Sequence, residues 1–191
     1  MRSRTAVVML GLALAAGLWG GTSELGSPFS AGAVEAQQPV DLRIIVAEGE
    51  GQDYWPNWRG PSGQGLVDDS GYPDTWSDTE NVLWKVSVPG IGHSSPIVWG
   101  DQIFLTTSYD NGTKMAMLSY HRSNGELLWE TPVPFASREH IHTKNSHASA
   151  TAVTDGEMVF ASFGQQGLMA VDLDGNLVWH NQIENLDNYH G

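Results

Sequence analysis

Gly125-Glu126-Leu127-Leu128-Trp129 recurs 50 residues later as Gly175-Asn176-Leu177-Val178-Trp179. Asn81-Val82-Leu83-Trp84 carries the same tryptophan ending, 45 residues before Trp129. Upstream of each full copy a second match is visible. SPIVWGDQIFL (95–105) and ATAVTDGEMVF (150–160) place apolar residues and a turn at the same positions. A period of this length in short β-type runs marks an array of small antiparallel sheets.

Working outward, the runs alternate with turn signals. Val82–Val88, Pro96–Trp99, Gln102–Ser108, Met115–His121 and Glu126–Thr131 read as strands. After a long connection the series repeats as Thr151–Val153, Glu157–Phe163, Leu168–Asp172 and Asn176–Gln182. Gly100-Asp101, Ser123-Asn124-Gly125, Asp155-Gly156 and Asp174-Gly175 separate them, and Asp110-Asn111-Gly112 predicts a tight hairpin, because Asn-Gly accepts positive φ. Each unit is therefore four antiparallel strands ending in a tryptophan, the pattern of a β-propeller blade.

The fold class is thus all-β: a first blade over 93–132, a second over 149–182, and a leading strand at 81–88 that resembles a blade's fourth strand. A blade buries both faces only between neighbours, so 81–88 is expected to close the ring by completing the last blade of a longer propeller. About seven or eight blades is the expectation for the whole, with this chain its N-terminal part and unstable alone.

Composition agrees with this reading. The chain has 191 residues, 22 of them glycine and 8 tryptophan, a balance suited to short strands and turns. Its formal net charge of -13 argues against nucleic acid, which needs a basic face. Arg2 and Arg4 followed by the uncharged run Ala6–Trp19 read as a signal peptide over 1–36, cleaved after Ala36, with an uncleaved anchor as the alternative. Export to the periplasm or beyond follows. The chain contains no cysteine, which excludes disulfides, a lipid anchor on cysteine and covalent c-type haem. Residues 37–80 form an extension with an ordered loop at Tyr54-Trp55-Pro56-Asn57-Trp58-Arg59-Gly60-Pro61, and Leu42–Ala47 is a further candidate strand.

Ala170-x-Asp172-x-x-Gly175-x-x-x-Trp179 resembles the tryptophan-docking motif of pyrroloquinoline-quinone (PQQ)-type propellers, one residue short before Gly175. The earlier copy has full spacing from Ser119 to Trp129, with His121 in place of the aspartate. WPNWRGPSGQG (55–65), PDTWS (73–77), NVLWK (81–85), PGIGHSSPIVWGD (89–101) and HTKNSHASATAVTDGE (142–157) are similar to secreted bacterial PQQ-binding-like repeat proteins. The resemblance implies that Trp84, Trp129 and Trp179, with Gly125, Gly175 and Asp172, hold blades together.

Several polar groups invite chemical readings beside structural ones. His140, His142 and His147, with Lys144, stand in the connection between blades and are weak candidates for zinc or copper, without the spacing of an established site. A hydrogen-bonded loop at the propeller mouth is the competing reading. His93-Ser94-Ser95 lacks a nucleophile elbow and reads as a turn entering a strand. Asp172-Leu173-Asp174-Gly175-Asn176 lacks the glutamate that would complete an EF-hand calcium loop and reads as a hairpin turn. Trp55, Trp58 and Arg59 could stack on a planar cofactor or a sugar, or pin the extension to the propeller.

Two functions follow from different classes. One is a binding or scaffolding propeller for a protein or small-molecule ligand. The other, implied by the resemblance, is a PQQ-dependent dehydrogenase using PQQ with calcium, its catalytic residues in blades beyond this sequence. No catalytic residue is assigned.

Overall fold

The computed structural model describes residues 47–67, 70–134 and 138–183. All of the described residues lie in the unit Leu42–Gly191. The leader expected over 1–36, the stretch Leu42–Ala47 apart from Ala47, and the chain end at Tyr189 lie outside the described residues.

Eight strands form two four-stranded antiparallel sheets, each in chain order. The first comprises β1 (Ile97–Trp99), β2 (Gln102–Tyr109), β3 (Lys114–His121) and β4 (Leu127–Pro132). The second comprises β5 (Val153–Thr154), β6 (Met158–Ser162), β7 (Leu168–Asp172) and β8 (Leu177–Asn181). Among the described residues there is no α-helix, only short 3-10 turns. The expected hairpin at Asp110-Asn111-Gly112 is looser than a two-residue turn. β2 ends at Tyr109 and β3 begins at Lys114, and Asp110, Asn111 and Gly112 all have positive φ.

Side chains alternate across each sheet, and one face of each meets the other. Phe104, Met115 and Met117 of the first sheet pack with Val159, Ala161, Met169 and Val171 of the second in one buried cluster. Because the core lies between sheets, neither sheet could bury its apolar row alone. The opposite face of β3 is buried too, through Ala116, Leu118 and Tyr120. Pro89 and Gly90 lie on that side, where Thr107 Oγ1 donates to the Pro89 carbonyl at 2.6 Å.

Val82–Val88, expected as a strand, belongs to neither ladder. A β-rich run becomes a strand only through a neighbour's hydrogen bonds, and no sheet of the described residues reaches this segment. Leu83 is 91% exposed, and the segment is instead positioned by Trp84.

The loop at 54–61 crosses both sheets. Trp55 exchanges two backbone hydrogen bonds with Val98 of β1, and Thr154 of β5 donates to the Pro56 carbonyl at 2.9 Å. Trp99 sits behind it, its ring 5.0 Å from that of Tyr54 and lodged against Gly51 and Gly156. The extension is therefore fastened to both sheets by backbone pairing and by an aromatic contact.

Candidate functional site

Three features concentrate the polar and aromatic residues: the joints between units, the end of the sheets where the strand connections cluster, and a cleft under the N-terminal loop.

The joints share one construction. The Trp129 indole Nε1–H donates to the Leu173 carbonyl at 2.9 Å, and its ring lies 5.9 Å from Phe104. A Cβ on Gly175 would meet the Trp129 ring at 2.6 Å, and Gly175 has φ of 85°, so only glycine suits both the space and the backbone. Thr131 Oγ1 adds a bond to the Gly175 carbonyl. One unit earlier, Trp84 Nε1–H donates to the Arg122 carbonyl at 2.9 Å, and a Cβ on Gly125 would meet the Trp84 ring at 2.5 Å. Trp179 stands at the equivalent place on β8, paired with Ala170 and 6.1 Å from Phe160. It is 40% exposed, with no such glycine against it among the described residues.

Two different side chains organise the glycine turns. Asp172 Oδ1 accepts from the backbone N–H of Asp174 and Asn176, and its Oδ2 accepts from the Asn176 amide. Those bonds, the Asn176 side-chain bond first, hold the Asp172 carboxyl below the usual aspartate range. In the first sheet His121 Nδ1 accepts from the Ser123 N–H at 3.2 Å, an equivalent local bond from a different residue. The Asp172–Asn176 stretch is thus a hairpin turn whose central acceptor is committed to backbone.

At the connection-bearing end, the histidines do not gather. Among the described residues no group of three His, Asp or Glu side chains is placed to hold a metal ion. His147 is buried, its ring against Gly112 and its Nε2 bonded to the Glu139 carbonyl at 3.1 Å. His142 Nδ1 accepts from the Lys144 N–H, and His140 is exposed. The Glu139 carboxylate crosses to the second sheet and accepts from the Gln165 N–H at 3.0 Å. Ser94 Oγ bonds the backbone of Thr106, and Ser95 N–H donates to Thr151 Oγ1. Ser94 thus fastens its loop to β2, while His142 and His147 bond within their own connection.

Under the N-terminal loop an open cleft of about 750 Å³ is lined by Gln52, Asp53, Tyr54, Trp55, Tyr72 and Arg122, with Leu66, Val67 and Val98 among its apolar wall. Trp55 is fixed there by Gly60, where a Cβ would strike its ring at 2.5 Å. Arg59 instead lies over the exposed Trp58, 4.3 Å from the ring centroid. The aromatic cluster seen in the sequence therefore divides, with Trp55 in the cleft wall and the Trp58–Arg59 pair outside that lining.

The PQQ-like repeat model described as outer membrane protein assembly factor BamB matches residues 74–190. The chain belongs to this PQQ-like repeat family. Its two four-stranded sheets are blades of a β-propeller. No curated protein matches the chain.

Sequence reading of this PQQ-like repeat chain did not single out Tyr54, Tyr72 and Arg122 together, because they are far apart along the chain and meet only once the extension folds over the first blade. It also passed over Tyr109 and Tyr120. Both hydroxyls are buried beside the Glu130 carboxylate. Burial first, and then the neighbouring Glu130 carboxylate, pushes the Tyr109 phenol up to about 12, and the same causes raise Tyr120. Among the described residues no helix is long and apolar enough to cross a membrane.

Proposed function

We propose that the protein is an exported propeller module that binds or scaffolds other molecules. Residues 1–36 serve as its signal peptide and 37–80 as an extension clasped to the blades. Trp84, Trp129 and Trp179, with Gly125, Gly175 and Asp172, act as blade-docking residues. The observation that carries this reading is the repeated joint, indole to carbonyl and ring over glycine, at Trp84 and again at Trp129. It builds a rigid frame whose end loops are anchored by their own polar side chains, the usual platform for binding. The row Val153, Phe160, Ala170 and Trp179 on the outer face of the second blade is the surface on which a following blade would dock. In the protein for which the matched family is described, the module belongs to outer membrane protein assembly, and a protein partner in the cell envelope suits the same scaffold.

The quinone reading meets a poor fit in these residues. A calcium ion beside PQQ needs several oxygen ligands, and Asp172 already gives both oxygens to its own turn. The test is dye reduction by the intact protein after loading with PQQ and calcium, with alcohols and aldoses as substrates. The binding-module reading expects no turnover above protein-free controls, and sustained turnover would overturn it.

A further inference from the structure

The cleft under the N-terminal loop combines three aromatic rings with a set of planar polar groups. Tyr54, Trp55 and Tyr72 supply flat apolar surface, and Gln52, Asp53 and Arg122 supply acceptors and donors around the same opening. Its volume of about 750 Å³ lies in the range of small-molecule sites. We propose that this cleft binds a neutral β-linked oligosaccharide. With β-1,4 linkages such a chain is an extended ribbon, whose C–H faces stack on aromatic rings while its vicinal hydroxyls face outward. Side chains such as Asp, Gln and Arg, each offering two coplanar polar atoms, match vicinal hydroxyls.

The cleft is held in shape before any ligand arrives. Trp55 is tied to β1 by two backbone hydrogen bonds, and its ring is backed by Gly60. Tyr54 packs at a tilt of 47° against Trp99, which is itself wedged against Gly51 and Gly156. Arg122 is pinned by its backbone alone. Its N–H donates to the Asp101 carbonyl at 2.8 Å, and its own carbonyl accepts from Trp84. Among the described residues its guanidinium makes no salt bridge, and Arg122 is part of the cleft lining. Asp53 and Arg122 bring opposite charges to the same lining, a balance that suits a neutral polyol better than a charged ligand.

The inference deepens the binding-module reading and rests on it. The two fail separately, because dye reduction bears on that reading and sugar titration on this one. The intact protein is titrated calorimetrically with hexamers of β-1,4-linked glucose, β-1,4-linked mannose and β-1,4-linked xylose, with an α-1,4-linked galacturonate hexamer as the anionic comparison. Saturable binding of at least one neutral β-linked hexamer is expected, with a change in tryptophan emission from Trp55. Arg122→Ala leaves both backbone bonds of Arg122 in place and should weaken that binding at least about tenfold, the loss expected for one charge-assisted hydrogen-bonded contact. Tyr72→Ala, at a site 60% exposed, should weaken it similarly with an unchanged near-ultraviolet circular dichroism spectrum. Heat from none of the neutral hexamers, binding of galacturonate alone, or wild-type affinity in both variants would overturn the proposal.

Discussion

Replacing Trp129 by alanine removes the best-formed joint between the two blades. A tryptophan side chain buries about 150–250 Å² when enclosed, and at about 25 cal/mol per Å² that is about 4–6 kcal/mol for complete burial. Trp129 is only partly buried, which lowers the apolar share to about 3 kcal/mol, and the indole bond to the Leu173 carbonyl adds about 1 kcal/mol. We expect a loss of about 3–4 kcal/mol, within the range for large aromatic deletions. Trp179 is the internal comparison. It is 40% exposed and touches Phe160 without the glycine seat, so Trp179→Ala should cost about 1–2 kcal/mol in the same chain. Trp129→Phe keeps most of the ring but loses the N–H donor, and should fall between the two. Urea unfolding of the intact protein, with constant slopes across the variants, measures all three. A Trp129→Ala effect below about 1 kcal/mol, or one equal to that of Trp179→Ala, would refute the joint as the source of blade cohesion.

Gly125→Val should destabilise by about 2–4 kcal/mol, because φ of 73° strains the backbone and the new side chain strikes the Trp84 ring. Gly100→Ala, at φ of 55° with no atom within 4 Å, should cost only about 1 kcal/mol in the same urea assay, and equal effects would show that the ring contact is immaterial. Tyr109, raised to about 12, should ionise well above an ordinary phenol in a titration followed by ultraviolet absorbance. Because its folded value lies above the unfolded one, its contribution is fully present below about pH 10 and is lost as the pH rises toward about 12. Tyr109→Phe should remove that alkaline phase, and its persistence in the variant would assign it elsewhere.

Much of the fold is legible in the sequence because it is written locally. Alternating apolar residues and glycine turns fall within single strands and hairpins, so the paired strands lie close to where the pattern places them. Thr151–Val153 moves to Val153–Thr154, a shift at the end of a short strand. Val82–Val88, expected to complete a blade outside this sequence, forms no ladder among the described residues, because strand-forming residues make a strand only beside a partner edge. The candidate site is less legible for a different reason. The histidines of the 138–149 connection are close in sequence, yet backbone bonds turn His147 toward Glu139 and His142 toward Lys144. Conversely, Tyr54 and Arg122 line one cleft from positions that no short motif connects.

The two joints also explain why the docking motif tolerates departures from its pattern. The turn from His121 to Gly125 is one residue longer than that from Asp172 to Gly175. In both, the residue after the acceptor offers its carbonyl to the indole, Arg122 to Trp84 and Leu173 to Trp129. In both, the glycine N–H closes back on the acceptor residue's own carbonyl, at 2.8 Å to His121 and 3.0 Å to Asp172. The extra residue is therefore absorbed between the carbonyl and the glycine, where neither the indole bond nor the ring seat feels it. What the joint requires at position 121 or 172 is an acceptor one bond away from the turn, and an imidazole Nδ1 meets that need as a carboxylate does. The substitution has a consequence outside the joint. Because the first joint holds the Arg122 backbone by its carbonyl, the same contact that docks Trp84 also fixes where the Arg122 side chain enters the cleft. Arg122 thus serves the Trp84 joint through its main chain and belongs to the lining of the candidate cleft as well.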